Sequence, residues 1–357
     1  MNKKIQKVLD KISLDKRKIN FVIFRTDRIG DVVLSIGVAE ILKKYFENSY
    51  ITFIVKNYTR PILENNIFID KILTIDNLKY KEIADVIKYN DISISLYASK
   101  DAVYAPYIAK IPIRIGPYSK IRSLFFNIRI KQNRSKSIKN EAQYNIDLVN
   151  ETFEINGFAY PKIFLTDEEK DWGKKYLENN CKINVSDNEK FIILHPGSGG
   201  SSKDLPFERY LEIVQYLKKQ NIKFLISGNN KELDFYKKKF LSNEKYKYII
   251  KDDFFKKELP LRKFFSVMNF AKIFISNSTG PLHCASALGV QTISFYPNLK
   301  ACNALRWGPF AEKKHENFVF SPDIPACQKC KNNCKYYPCM DYIDIKKVFD
   351  KILAFYS

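Results

Sequence analysis

The feature that most narrows the fold is an alternation, run twice, of short apolar segments with longer amphipathic ones. In the first half, Phe21–Arg25, Tyr50–Val55, Lys71–Ile75, Asp91–Tyr97 and Ile113–Ile115 read as strands. Asp31–Phe46 reads as a helix with Val32, Val33, Ile36, Ala39 and Leu42 on its inner face. A polar interval follows over 131–190, with helix-like stretches at Asn140–Asn156 and Asp167–Asn179. The alternation then restarts with strands at Phe191–His195, Ile222–Ser227, Tyr246–Ile250, Lys272–Ser276 and Gln291–Phe295. Its helices are expected near Pro206–Lys219, Lys231–Phe240, Leu261–Asn269 and Gly280–Leu288. Strands that are apolar throughout and separated by helices are covered on both faces, which means a parallel sheet. The expectation is an α/β chain of two doubly wound, parallel-sheet domains facing a central cleft, with ligands outside the carboxyl ends of the strands.

At 357 residues the chain is long enough for two domains, each with its own core. We place a basic amphipathic segment at 1–18, a first domain with its connecting helices at 19–185 and a second at 186–340. A closing helix in 341–357 is expected to pack back toward the first domain. An apolar fraction of 45% and an aromatic fraction of 14% exclude a disordered chain. No apolar run reaches the roughly 18 residues of a membrane span. Met1–Asn20 lacks the apolar core of a secretory signal, so cytoplasmic residence is the expectation.

The formal charge of +21 has two readings. One is a lysine-, asparagine- and isoleucine-rich composition with no functional meaning. The other is attraction to an anionic partner: a phosphorylated glycan, the lipid headgroups of an inner leaflet, or nucleic acid. In the first segment Ile5, Val8, Leu9 and Ile12 recur at helical spacing among Lys3, Lys4, Lys7 and Lys11. Such a stretch either lies on a membrane surface or packs on its own domain. Nucleic acid is disfavoured, because neither zinc-finger spacing nor an RRM aromatic signature is present.

Three segments sit where a strand gives way to a helix. In Phe24–Asp31, a turn containing Gly30 brings Asp31 to the edge of the sheet, either as a reactive carboxylate or as a helix cap. Arg25 and Arg28 either meet an anionic acceptor or balance Asp27 and Asp31. In His195–Pro206, the glycines allow backbone N–H groups close to a diphosphate that Lys203 can neutralise. The spacing is that of neither a Walker A loop nor a dinucleotide fingerprint. In Ile275–His283, Thr279 and Gly280 offer a hydroxyl and backbone donors at a helix start, and Pro281 suits its first turn. His283 reads either as a structural histidine or as a donor-site residue.

Taken together, "FRTDRIGDVVLSIG", "HPGSGGSSKDLP" and "SNSTGPLHCASALGVQTISFYP", with "IPIRIG" at 111–116 and "RWGP" at 306–309, resemble the signature blocks of glycosyltransferase family 9. That family contains the ADP-heptose:lipopolysaccharide heptosyltransferases. The resemblance runs from about residue 20 to 310, in the family's order. It implies a GT-B architecture of two Rossmann-like domains, the first taking the acceptor and the second a nucleoside-diphosphate sugar. It also implies an inverting, metal-independent transfer to a lipid A–Kdo or lipopolysaccharide core acceptor. Asp31 falls on the family's catalytic aspartate and Lys203 on its diphosphate contact. Glu232 falls on its ribose contact, and Thr279, Gly280 and His283 on the block lining phosphates and sugar. His195, Ser198 and Gly199 belong to the same donor set. Ser278 departs from the family, standing where an aspartate commonly contacts the donor sugar. Arg25, Arg28, Arg60, Arg114 and Arg122 are the candidate acceptor contacts.

No cofactor is expected. The acidic pair that holds a metal–diphosphate in the other major transferase architecture is not evident at a strand end. Asp341 and Asp344 are spaced for a helix start instead. Cys327, Cys330, Cys334 and Cys339 read C-x2-C-x3-C-x4-C, either free thiols or a structural metal site. Two other functions remain open on sequence: a nucleotide-sugar epimerase on the same scaffold and a basic nucleic-acid-binding protein.

Overall fold

The computed structural model describes residues 2–119, 121–200, 202–241, 255, 257–328, 330 and 334–356. The chain forms two compact units, 1–164 and 165–357.

The first unit runs α1 (Lys3–Leu14), β1 (Ile19–Phe24), α2 (Ile29–Val33), α3 (Gly37–Tyr45), β2 (Ser49–Val55), β3 (Lys71–Thr74), α4 (Tyr80–Ile87), β4 (Ile92–Ser95), α5 (Lys100–Ile108), β5 (Ile113–Pro117), β6 (Ile128–Ile130) and α6 (Glu141–Phe153). Its strands form one parallel sheet in the order β3-β2-β1-β4-β5-β6. The second unit runs α7 (Asp167–Cys181), β7 (Ile192–His195), α8 (Phe207–Lys219), β8 (Phe224–Ile226), α9 (Asn230–Leu241), α10 (Leu261–Met268), β9 (Ile273–Asn277), α11 (Gly280–Ala287), β10 (Gln291–Phe295), α12 (Ala304–Trp307), β11 (Asn317–Phe320) and α13 (Ile345–Tyr356). Among the described residues its sheet is also parallel, in the order β11-β10-β9-β7-β8.

The central strands explain the sheet type. Phe21, Val22, Ile23 and Phe24 of β1 are all buried, as are Ile192, Ile193 and Leu194 of β7, so apolar side chains leave both faces. Chain order reverses between β1 and β4 in the first sheet and between β7 and β9 in the second. Crevices open at such reversals, outside the carboxyl ends of the strands. The segments after β1, β7 and β9 are the three that the sequence singled out.

Several boundaries differ from expectation. The helix expected over Asp31–Phe46 is two helices. Ser35 turns its hydroxyl onto the Val32 carbonyl at 2.7 Å, and Asn145 donates to the Leu34 carbonyl at 3.0 Å, which ends α2 early. The units divide at 164/165 rather than 185, because α7 packs on α10. Gly173 makes that approach possible: a Cβ there would stand 2.3 Å from the Ser266 carbonyl oxygen. The closing helix has its apolar stripe in the second unit. Val348, Ile352 and Phe355 of α13 are buried in the core of the second unit, and Phe349 stacks on Tyr216 of α8 at 4.1 Å. The short strands β6 and β11 were not anticipated, and the strand expected at Tyr246–Ile250 lies outside the described residues.

The basic segment folds as α1 and buries Ile5 and Ile12 against its own unit. Arg17 behind it grips Asp91 with two bonds of 2.8 and 2.7 Å. This places α1 at the amino-terminal edge of the first sheet, a strand's length, roughly 20 Å, from the edge carrying Asp31. Among the described residues, no helix is long and apolar enough to cross a membrane.

Candidate active-site elements

In the first unit a buried arginine organises the edge after β1. Arg25 is 2% exposed and its donors are divided among four side chains. Nε donates to Asp27 at 2.8 Å and Nη2 to Asp31 at 2.6 Å. Nη1 reaches Glu141 at 3.2 Å and Asn145 at 3.3 Å, both on α6. Arg134 braces the far side of this cluster, bonding Glu141 at 2.6 Å. Burial opposes the Arg25 charge, but Asp27, Asp31 and Glu141 overcome it and hold the guanidinium protonated well above its ordinary value. Burial pushes the Asp27 carboxyl up to about 6 against the pull of Arg25, and the Asp31 charge adds to the rise. The Tyr58 hydroxyl donates to the Asp27 carbonyl at 2.7 Å and ties the loop after β2 to this edge.

Asp31 lies in the first turn of α2. Its side chain is 15% exposed. One carboxylate oxygen is held by Arg25, and the other has no partner among the described residues. A carboxylate held by one oxygen and open at the other can accept a proton in a fixed position.

The arginines expected to meet an acceptor separate into two groups. Arg28 is exposed as the residue preceding α2, and Arg60 follows β2, half exposed and 3.3 Å from Glu64. Arg122 is half-buried in the 3-10 turn after β5. Arg25 and Arg114 are engaged within the protein. Arg25 is buried and makes four bonds to side chains of its own unit. Arg114 is level with Ser93 and Val22, near the opposite edge of the sheet. There it donates to the carbonyls of Ile111 at 2.7 Å and Phe125 at 3.0 Å, so it serves the turn before β6.

The second unit is built differently. His195 ends β7, buried, with Nδ1 3.0 Å from the Ser227 hydroxyl. Burial lowers it to about 4 and keeps it neutral. Beyond it Gly199 and Gly200 take φ of +57° and +74°, with nothing within 4 Å of a Cβ position. The left-handed turn therefore needs glycine and leaves its backbone open. Ser198 is buried and Lys203 is exposed. Glu232 opens α9 in a reciprocal cap with Asn229, at 2.9 and 3.0 Å. Its other oxygen lies against Gly197, where a Cβ would meet it at 2.2 Å.

Thr279 precedes α11 in extended conformation and makes no side-chain capping bond. Its hydroxyl and the first-turn N–H groups of α11, Pro281 excepted, are of the kind that receives an anion at a helix start. Ser278 is half-buried and bonds the Tyr296 hydroxyl. His283 is buried, lowered to about 4 by burial, and its Nδ1 has no partner among the described residues.

Sequence reasoning missed the residue that joins these loops. Asn277, the last residue of β9, accepts from the Leu205 N–H at 2.8 Å and donates to the Pro196 carbonyl at 2.5 Å. One buried amide thus pins both ends of the glycine loop to the strand that leads into Thr279. A polar residue at the end of an otherwise apolar strand was its signal. Glu141 and Asn145 were also missed. Their i, i+4 spacing puts them on one helix face, but nothing local says that the face looks onto Arg25.

Cys327, Cys330, Cys334 and Cys339 line one cavity of about 620 Å³, with Lys203, Asp204, Asn298 and Leu299. None of the four is in a disulfide. Burial and mutual repulsion push Cys327 and Cys339 up. Among the described residues, no three His, Cys, Asp or Glu side chains are grouped to hold a metal.

Comparison with known proteins bears directly on this arrangement. Residues 85–339 match the model of glycosyltransferase family 9 (heptosyltransferase). The chain belongs to glycosyltransferase family 9. It is 28% identical to a protein of Haemophilus influenzae provisionally assigned as a glycosyltransferase, over 87% of this chain and 91% of that one. It is 25% identical to lipopolysaccharide heptosyltransferase 1 of Campylobacter coli, over 78% and 84%. The crystal structure of the Escherichia coli ADP-heptose lipopolysaccharide heptosyltransferase II superposes with a TM-score of 0.75 at 15% identity, covering 94% of this chain and 98% of that one. The family 9 chain thus has the GT-B-like pair of parallel-sheet α/β domains, as the strand pattern implied.

Proposed function

We propose that this family 9 transferase moves a heptose from ADP-heptose to an acceptor hydroxyl of the lipopolysaccharide core, on lipid A–Kdo, with inversion and without a metal. The observation that carries the reading is Asp31: one oxygen fixed by a buried arginine, the other open, at the point where the first sheet reverses order. The acceptor belongs to the first unit and the donor to the second. An acceptor hydroxyl is a weak nucleophile until its proton is drawn away. Asp31 takes that proton as the oxygen attacks the anomeric carbon. The bond from that carbon to the diphosphate breaks, and the leaving group carries the developing negative charge. Lys203 and the N–H groups near Gly199 and Gly280 stabilise it, with the Thr279 hydroxyl as a further donor. Ser198, Glu232 and Ser278 line the donor, and Arg28, Arg60 and Arg122 meet an anionic acceptor. His195 and His283, both neutral, shape the donor side rather than carry charge there.

The net charge of +21 supports work at an anionic surface, the inner face of the inner membrane, where lipid-linked acceptors are presented. Because α1 sits at the far edge of its sheet, we assign that attraction to the basic surface as a whole rather than to α1.

The test incubates purified protein with ADP-heptose and Kdo2–lipid A in EDTA and follows the product by mass spectrometry. One heptose added to the acceptor is expected, and Asp31→Asn should abolish it. A product formed from donor alone, or a requirement for added Mg²⁺, would overturn the reading.

A further inference from the structure

Arginine grips a carboxylate most strongly with two parallel N–H bonds to its two oxygens. The Nε–H and Nη2–H of Arg25 form such an edge, yet two acids share it. Asp27 takes Nε–H at 2.8 Å and Asp31 takes Nη2–H at 2.6 Å. The third position, Nη1, is occupied by Glu141 and Asn145, which Arg134 holds from behind. Asp31 therefore receives one bond from a cation that could have given it two. A carboxylate clamped at both oxygens by guanidinium is a poor base, because the cation stabilises its ionised form.

We infer that Asp27 is a positioning residue for the transfer reaction: by occupying the Arg25 Nε–H it denies Asp31 a two-point ion pair and leaves one Asp31 oxygen free to take a proton. The inference rests on the assignment of Asp31 as the base. Asp27 does not touch substrate in this role; it acts through Arg25. Asp27 is also a weaker acid than an ordinary carboxyl, through burial first and then through the neighbouring Asp31 charge. The other titratable group facing the pair is Tyr58, from the loop after β2, with Arg28 and Asp76 acting on Tyr58 in turn, and with Glu141 and Arg134 on the α6 side. The isosteric change Asp27→Asn leaves these groups in place. It removes one negative charge and leaves only a neutral amide oxygen, a weaker acceptor, to compete with Asp31 for the Nε–H. Both effects favour the ionised base, so the acid limb of the rate profile must move to lower pH.

The test has two readouts. In pH profiles of kcat/KM with ADP-heptose and Kdo2–lipid A, Asp27→Asn is expected to move the acid limb down by about one pH unit. The plateau should fall roughly threefold, as for a weaker base, with donor KM unchanged. Asp27→Glu should restore the limb at least in part. The second readout needs no substrate. The Asp27 side-chain carbon, followed by ¹³C NMR and assigned by its loss in Asp27→Asn, should titrate near 6 and fall in Asp31→Asn. An unmoved limb together with an unmoved Asp27 midpoint, while Asp31→Asn is inactive, overturns the inference and leaves the base assignment standing. Near-normal turnover of Asp31→Asn removes the base assignment, and the inference with it. Loss in Asp27→Asn as deep as in Asp31→Asn, without rescue by Asp27→Glu, would make Asp27 the base and overturn both.

Discussion

The two units place their functional segments at equivalent points, after the strands where sheet order reverses, and equip them in opposite ways. In the first, the buried charges are matched: Arg25 faces Asp27, Asp31 and Glu141, and Arg134 closes the cluster. In the second, the donors stand open: among the described residues nothing lies within 4 Å of a Cβ position at Gly199 or Gly200, the Thr279 hydroxyl caps nothing, and both histidines are neutral. The difference suits the division of labour proposed above. A proton acceptor must be held still and kept charged, which takes counter-charges. An incoming anion must find donors not already satisfied.

The contrast predicts a ladder of effects. The largest is expected from Asp31→Asn, which should lower turnover by about 10²–10⁴-fold while leaving donor binding intact. Steady-state kinetics beside donor titration by calorimetry checks it; a loss of binding equal to the loss in turnover would erase the proposed division of labour. Next is Arg25→Ala. It strands buried carboxylates and should destabilise the first unit by about 3–5 kcal/mol, read by urea unfolding. Asn277→Ala comes third. It leaves the Leu205 N–H and the Pro196 carbonyl without their buried partner, costing about 2 kcal/mol, and should raise donor KM about tenfold as the glycine loop loosens.

Acidification should then separate the units by sign. His195 and His283 titrate at about 4 in the folded chain, against 6.5 for a free imidazole. The unfolded chain binds those protons first, so their contribution is present above 6.5 and is lost as pH falls toward 4. Asp27 is raised from 3.8 to about 6, so its contribution is present below 3.8 and is lost as pH rises through 6. As pH falls from 6 to 4, hydrogen-exchange protection factors, taken relative to the intrinsic rate at each pH, should therefore fall around β7 and α11 and rise around β1 and α2. The same sign in both units would refute the contrast. The smallest effect is Thr279→Val: about fivefold weaker donor binding with no change in melting temperature, because the hydroxyl does no structural work.

How much of this the sequence disclosed depended on range. The strands of both sheets showed in their apolar runs, and the three strand-to-helix segments showed in their glycines, hydroxyls and Asp31, because those signals are local. The role of Arg25 was hidden. Beside Asp27 and Asp31 it read equally well as an anion contact, and only Glu141 and Asn145, more than a hundred residues away, bury it. The bonds of Arg114 to the Ile111 and Phe125 carbonyls were hidden for a similar reason: a strand's sequence does not say what a side chain near its start will meet. The closing helix showed its apolar stripe, Val348, Ile352 and Phe355, but a stripe does not name its partner. Asn277 looked like one more polar residue until the loop it pins came into view.

That single amide has a pharmacological corollary. Since Asn277 fastens the glycine turn to the strand feeding α11, a small ligand resting on either loop also orders the other, and a second fragment then finds its seat already shaped. Two linked fragments that bridge the pair should bind more tightly than the sum of their separate free energies, and in Asn277→Ala that surplus should vanish.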